Sequence, residues 1–571
     1  MILIDKKTIA GYLSEYIASI SPKEIKDLVE IPPPDFDFNY AFPCFHLAKI
    51  EKKAPNVIAS ELKAKMKLPD YLEAIEATGP YLNFRVKPEQ ILQNIFSLQE
   101  DYGKMYEKIS KTTLKPSRIV IEYPAPNTNK PLHFGHIRNM LLGRSLSNLL
   151  KYKGDTVFDV NLNNDRGIHI CKSMFAYEKW GDGKEPDKKA DHFVGDFYVK
   201  YTQMEKKDSK VIDKVYELLR LWEEDDPKTK TLWKKMNNWA FKGFKETYNT
   251  LKISFDKEYF ESDIYWKGRG KILEGVEKGI FSKTEDGAVI AYLEENFNLP
   301  NKILLRRDGT TLYITQDVFL AFQKKEDFNY DKSIYVVGNE QDLYFKQLFA
   351  VLDLIGFKED KFHLSYGMVY LPEGKMKSRE GTVVDADDII AKMETLAYEE
   401  VNGRYPELRE TEKKERANAI GMAALSFFIL KFNPKSGFIF NPKESISFEG
   451  ETGPYIQYCY ARIQSILTKS KEVVGLNIKW NLIKHEKELF LVKQLNYFPE
   501  ILDSIRNNYS LHLIPQYLLM LCQAFNSFYS SCQVLSDNKE SEKTRLLLIR
   551  CVQIVIKIGL DILGINTLNQ M

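Results

Sequence analysis

Two histidines, His133 and His136, flank Phe134 and Gly135 in NTNKPLHFGHIRNMLLGRSLSNLL (127–150), in a chain that holds only 8 histidines among 571 residues. Three readings compete for such a pair. Zinc sites on helices favour histidines four apart, or cysteines at short spacing elsewhere, and no matching acid or thiol cluster accompanies this pair. Two ordinary surface histidines are the second reading. The third is a phosphate-binding corner. Gly135 would let a backbone or ligand approach closely. The mouth of the following helix offers unsatisfied N–H groups and partial positive charge. Histidine N–H groups there can donate to phosphate oxygens, each bond contributing about 1.5–3 kcal/mol when its partner is charged. A second anion-binding candidate is YLPEGKMKSREGTVV (370–384), where Lys375, Lys377 and Arg379 fall between Gly374 and Gly381. Alone, that run reads as a solvated basic turn; beside a phosphate corner it reads as a second set of donors. Neither GxxxxGK[ST] nor GxGxxG occurs, so a nucleotide must be held in another way.

The surrounding elements explain why the histidines sit where they do. RIVIEY (118–123) is β-branched and bounded by PAPN, which predicts a buried strand. Glu122 closes that strand, and an acid there needs a partner. Ile137, Leu141, Leu142, Leu146, Leu149 and Leu150 predict an amphipathic helix that stops near Gly154. DTVFDVNL (155–162) predicts the next strand. Strand, loop, helix and strand make one βαβ unit of a parallel sheet, whose ligands bind at the carboxyl ends of strands beside helix N-termini.

Around this unit the expected domains are three. Residues 1–105 read as a small α+β domain, with helical periods, a break at IPPPDFDFNYAFPC and a closing strand in GPYLNFRV (79–86); the polar stretch 101–117 reads as a linker. Residues 106–384 read as an α/β domain with a Rossmann-like parallel sheet. It carries a charged helical insertion around 177–250, and strand-like runs at NKILLRR (301–307), TLYIT (311–315), SIYVVGN (333–339) and HLSYGMVYL (363–371). Residues 385–571 read as all-α, with YLLMLCQAFNSFYSSCQVL (517–535) the most apolar part. A chain this long exceeds a single core.

Composition narrows the class. At 44% hydrophobic, 28% charged and a net charge of +2, the sequence is that of an ordinary globular protein, with no global excess of basic charge. The 6 cysteines form no close CxxC pairing, which fits reduced thiols. The opening MILIDKKTIAGYLSEYIASI carries acids and lysines, unlike a secretory leader, and no apolar run approaches the ~20 residues of a membrane span. The expectation is a cytoplasmic chain with no membrane association.

HFGH at 133–136 and KMKSR at 375–379 resemble the two motifs of the class I aminoacyl-tRNA synthetases. EYPAPNTNKPLHFGHIRN, NNDRGIHICKSM, FDKEYFESDIY, RRDGTTLYITQD, GNEQDLYFKQLF and GETGPYIQYCYARIQSIL together resemble the arginyl-tRNA synthetase family. The resemblance spans nearly the whole chain, from NYAFPCFHLAK to LGINTLNQM. HxGH alone is shared with other adenylyl transferases; the combination is far more specific. It implies ligation of L-arginine to tRNA(Arg) through an arginyl-adenylate, with a first step that depends on tRNA. It also implies ATP as substrate, Mg2+ accompanying ATP without a dedicated protein cage, an anticodon-binding helical C-terminus and a monomer.

By the same resemblance, ATP is held by Pro126, Asn127, Thr128, Asn129, Lys130, Pro131, Leu132, His133, Phe134, Gly135 and His136, together with Lys375, Met376 and Ser378. The catalytic groups are Lys130, His133, His136 and Lys375. Arginine is met by Glu122 and Gln341 at its α-amino group, Asn127 at its carboxylate, and Tyr313 and Asp317 at its guanidinium. Glu261 is a candidate second acid. Surface salt bridging is the bland alternative for Asp317 and Glu261. Tyr81 and Asn83 are candidates for the tRNA elbow, and Tyr455, Tyr458, Tyr529 and Met571 for the anticodon. Each tyrosine taken singly also suits core packing. One departure stands out: many class I enzymes read KMSK, and the fourth position here is Ser378. Lys130, three residues before His133, is positioned to supply the missing charge, with a solvated lysine as the bland alternative.

Overall fold

The structure, a computed structural model, describes residues 4–33, 36–98, 116–372 and 384–571. The chain divides into two compact units. One comprises Met1–Leu114, Tyr152–Gly154 and Ser447–Met571, the other Lys115–Lys151 and Asp155–Ile446.

In the first unit, β1 (Tyr40–Pro43), β2 (Leu72–Thr78) and β3 (Tyr81–Val86) form an antiparallel sheet in the order β1-β3-β2. GPYLNFRV thus supplies the central strand. The turn before it places Gly79 at φ +56°, where glycine carries no steric penalty. The C-terminal helices Glu486–Asn496, Leu513–Ser531 and Lys539–Ile562 pack in the same unit. Asn496 Nδ2 donates to the Tyr40 hydroxyl at 3.0 Å, tying helix to sheet through a buried polar pair.

In the second unit, β4 (Arg118–Glu122), β5 (Thr156–Asn163) and β6 (Lys257–Phe260) precede a small antiparallel sheet of β7 (Ser282–Lys283), β8 (Val289–Ala291) and β9 (Lys302–Leu305). The chain then returns through β10 (Lys332–Gly338) and β11 (Asp360–Tyr366). These last two join β4, β5 and β6 in an all-parallel sheet of order β11-β10-β4-β5-β6. β4 lies at the centre, and four of its five residues are buried, as expected of a strand covered on both faces. The chain leaves β4 toward β5 on one side and later returns through β10 on the other. That reversal opens a crevice at the carboxyl ends of β4 and β10, where ligands of such sheets bind.

Helices Ile168–Trp180, Ala190–Glu205, Val211–Glu223 and Pro227–Thr250 lie between β5 and β6 and bury a core of their own around Met174, Tyr201 and Val215. β6 carries Lys257 and Glu258 and sits at the sheet edge, so no apolar run announces it.

Two strand expectations are corrected. TLYIT is the mouth of helix Tyr313–Phe328, not a strand. Its threonine and tyrosine mimic strand composition, but the Thr315 hydroxyl accepts from the Leu312 N–H at 3.1 Å and donates to the Leu304 carbonyl at 2.5 Å, capping a helix whose Ile314, Val318 and Ala321 are buried. HLSYGMVYL is split. β11 ends at Tyr366, and β12 (Val369–Tyr370) pairs instead with β13 (Phe438–Ile439). At the break, a Cβ on Gly367 would lie 2.6 Å from the Gly437 nitrogen, so the two backbones approach only because neither residue has a side chain.

Arg138, on the helix that follows the two histidines, fixes this corner. It is 1% exposed, and its guanidinium donates to the carbonyls of Gly367, Asn433, Pro434 and Ser436. Burial pushes it down to about 10, with no carboxylate among its described partners. Arg138→Met removes the donors from several buried carbonyls at once. It is expected to lower the unfolding free energy by about 3–5 kcal/mol, read as a fall in the urea midpoint.

Candidate active site

The loop after β4 is stitched to the end of β5. Asn164 N–H donates to the Pro126 carbonyl at 2.9 Å, Thr128 N–H to the Asn164 carbonyl at 3.2 Å, and Asn164 Nδ2 to the Ala125 carbonyl at 3.0 Å. Asn161 Oδ1 accepts from the Ala125 N–H at 3.2 Å. The asparagines of VNLNND thus shape this loop. Thr128, Asn129 and Leu132 are buried within it, whereas Asn127 is exposed.

The helix Phe134–Tyr152 begins inside HFGH. His133 N–H donates to His136 Nδ1 at 3.0 Å, and the two rings stack with centroids 3.7 Å apart. Burial, with the Lys130 charge adding to it, pushes His133 down to about 4, and burial pushes His136 well below its ordinary value. Both rings are therefore neutral near pH 7, each with one N–H to donate. His133 Nδ1 is buried with no hydrogen-bond partner among the described residues. Burial also lowers Lys130, against the pull of Asp385.

A short backbone bridge braces this corner. Phe134 N–H donates to the Val384 carbonyl at 3.0 Å, and Ala386 N–H to the Leu132 carbonyl at 2.9 Å. The bridging segment is anchored in turn: Asp387 receives His192 Nε2 at 2.6 Å and Lys189 Nζ at 2.8 Å. Asp191, His192 and Asp387 have metal-ligand spacing, but Lys189 also lies 3.1 Å from Asp191, so an ammonium already compensates these acids. Lys375, Met376 and Ser378, with Lys377 and Arg379, lie outside the described residues.

A second cluster gathers at the carboxyl end of β4. Glu122 Oε2 accepts from Lys324 Nζ at 2.7 Å. Asp317, on the first turns of helix Tyr313–Phe328, accepts from the Tyr344 hydroxyl. Burial raises Asp317 to about 7; Tyr344 and Lys324 oppose the rise and Glu122 adds to it. Burial likewise raises Glu261 to about 7, with Asp165 and Asp317 adding and Arg166 opposing. Neither Asp317 nor Glu261 has an ion-pair partner among the described residues. Tyr313 stands 67% exposed at the helix mouth, within reach of the charges of Glu261 and Asp317. Gln341 is exposed on the turn that follows β10. Lys324, Tyr344, Arg166 and Asp165 were not singled out from the sequence. A lysine in QKKEDF and an aspartate in NNDRG carry no local mark of burial.

In the other unit, Tyr81 packs edge-on against Phe45 at 5.8 Å, and Asn83 is buried on β3. Tyr455 accepts from Asn526 Nδ2 at 2.8 Å, and Tyr458 accepts from Arg462 Nη2 at 2.6 Å. The Arg462 guanidinium also lies over the rings of Tyr458 and Tyr529, and Tyr529 is 40% exposed. Met571 is half-buried at the chain end.

A crevice of this kind, with neutral histidines at a helix mouth and no Gly-rich phosphate loop, fits the comparisons with known proteins. Residues 102–442 match the model for the catalytic domain of class I tRNA synthetases (R), 456–571 the DALR anticodon binding domain, and 6–86 the arginyl tRNA synthetase N-terminal domain. The chain belongs to the class I tRNA synthetases. Within that class it belongs to the arginyl-tRNA synthetase family. It is 43% identical to an arginine–tRNA ligase of Treponema denticola, over 99% of this chain and 98% of the relative. It is 39% identical to one of Bacteroides thetaiotaomicron over 100% of both. The solved Thermus thermophilus arginyl-tRNA synthetase superposes with a TM-score of 0.82 at 26% identity, covering 99% of each chain. Among the described residues, no helix is long and apolar enough to cross a membrane.

A carboxyl with a raised value in the folded state holds its proton more tightly there than in the unfolded chain. Asp317 therefore favours folding at low pH, and this contribution is lost as pH rises from about 4, its unfolded value, toward about 7. Without arginine, Asp317→Asn is expected to be more stable than the parent above that window by about 1–3 kcal/mol, and nearly equal to it at acid pH. Urea unfolding across pH measures the difference.

Proposed function

We propose that the chain is an arginine–tRNA ligase whose amino-acid pocket is built on Glu122, Asp317 and Glu261, and whose ATP corner is built on Lys130, His133 and His136. The observation that carries this reading is the pair of acids held near pH 7 by burial, with no ion-pair partner among the described residues, beside the exposed ring of Tyr313. A guanidinium presents a planar fork of donors that matches a carboxylate bidentately. Bound arginine thus brings the counter-charge that these acids lack. Glu122 and Gln341 take the α-ammonium, Tyr313 and Asp317 the guanidinium, and Asn127 the carboxylate.

That carboxylate attacks the α-phosphorus of ATP; the bond to pyrophosphate breaks and arginyl-adenylate forms. The 2′-hydroxyl of the terminal tRNA ribose then attacks the activated carbonyl and AMP leaves. No protein nucleophile takes part. Catalysis is positioning together with neutralisation of phosphate charge. His133 and His136 donate N–H groups while neutral, and Lys130 supplies the charge that Ser378 cannot. Lys375 and Met376 enter on the motif alone. Mg2+ travels with ATP, and no step is assigned to it. In the anticodon-binding helices Tyr455, Tyr458, Tyr529 and Met571 meet unpaired bases, where stacking contributes about 1–3 kcal/mol per base. Tyr81 and Asn83 serve the tRNA elbow. The enzyme is read as a cytoplasmic monomer whose first step requires tRNA.

Pyrophosphate exchange with each amino acid, with and without tRNA, tests this. Exchange is expected with arginine; exchange driven by another amino acid instead would overturn the assignment. In the same assay Asp317→Asn is expected to raise the arginine KM at least about tenfold and to leave the ATP KM within about threefold. Equal loss for both substrates would mark the residue as structural.

Lys130→Ala should lower kcat for activation in single turnover by about 30- to 1,000-fold, the cost of a charge-assisted contact made mainly in the transition state. Lys130→Ala/Ser378→Lys should recover part of it. Near-normal activity in the single variant would remove Lys130 from this role.

A further inference from the structure

Lys324 lies two helical turns beyond Asp317 on the same face of helix Tyr313–Phe328, and its side chain is 0% exposed. Two of its three N–H donors are hydrogen-bonded, and its charge faces an aromatic ring. Nζ donates to Glu122 Oε2 at 2.7 Å and to Ser333 Oγ at 3.3 Å, and sits 4.0 Å from the centroid of the Tyr335 ring. The neighbouring Lys325, by contrast, reaches outward to Glu359 at 2.9 Å. The other oxygen of Glu122, Oε1, has no protein partner among the described residues.

Burying an ion pair is a poor way to stabilise a fold, since apolar residues of similar volume usually serve as well or better. An apolar pair could not, however, present a carboxylate at the end of a strand in one fixed orientation. We infer that Lys324 is a positioning residue of the amino-acid pocket: it clamps one oxygen of Glu122 and leaves the other for the α-ammonium of arginine. This rests on the reading of Glu122 given above. The clamp also divides the work of the pocket. Lys324 compensates the charge of Glu122, so the uncompensated negative charge is concentrated at Asp317 and Glu261, where the guanidinium belongs.

The test compares arginine with 5-guanidinopentanoate, the same molecule without its α-amino group, used as a competitive inhibitor of arginine activation by the full-length enzyme. Lys324→Met is expected to raise the arginine KM about tenfold or more and to leave the inhibition constant of the analogue within about threefold, because the analogue makes no use of Glu122. If both weaken together, Lys324 serves only packing. If neither changes, the clamp has no role. Either result overturns the inference. Should Lys324→Met not fold, Lys324→Gln, shorter and without the charge, releases Glu122 from the 2.7 Å contact and carries the same comparison with the same expected result. Glu122→Gln is the separate control. It should weaken arginine and spare the analogue, and an unchanged arginine KM in that variant would instead remove Glu122 from the α-ammonium.

Discussion

β4 is paired along both edges and covered on both faces, so only its carboxyl end is free to meet a ligand. Everything chemical in this unit follows from that constraint. The loop after β4 must turn back over the sheet at the point where the chain reverses direction. There it is held by hydrogen bonds to the asparagines that end β5. The helix mouth bearing His133 and His136 thereby lies at the same end of the sheet as the acid that closes the strand. A short strand could not carry both groups itself; the crevice between diverging connections carries them instead.

Within that crevice the two clusters use opposite electrostatics. At the helix mouth, burial holds both histidines neutral, and positive character comes from Lys130, the helix dipole and N–H groups. At the neighbouring acids, burial leaves negative charge costly and only partly compensated. Under the proposed function, the first corner meets the phosphates of ATP and the second the guanidinium of arginine, whose carboxylate is activated between them.

The supports behind these groups are polar and wholly or partly buried. Arg138 satisfies a set of carbonyls where two glycine backbones meet, and Lys189 and His192 anchor Asp387 beside the bridge that braces HFGH. Lys324 fixes Glu122. Arg138 and Lys324 are long charged side chains drawn fully inward, so each replaces hydration with several directed hydrogen bonds.

The sequence by itself determined the local units. The buried strand RIVIEY, the helix after HFGH, the strand DTVFDVNL and the helical C-terminus were legible because hydrophobic periodicity is a local property. The histidine pair and Glu122 stand out in the sequence because their types and spacing are unusual, whereas Asp317 and Glu261 are singled out only through family resemblance. Composition misled at TLYIT, where a threonine cap decides for helix, and at HLSYGMVYL, where the close approach of Gly367 to Gly437 breaks the strand. Only the tertiary structure decided which charged residues are buried and whom they meet. Lys324, Arg138, Tyr344 and Arg166 carry no sequence signal for these roles, since a lysine facing solvent and one facing Glu122 are written identically. Their partners lie far away in sequence, and desolvation, which sets the pKa values of Asp317 and Glu261, exists only once those partners have packed together.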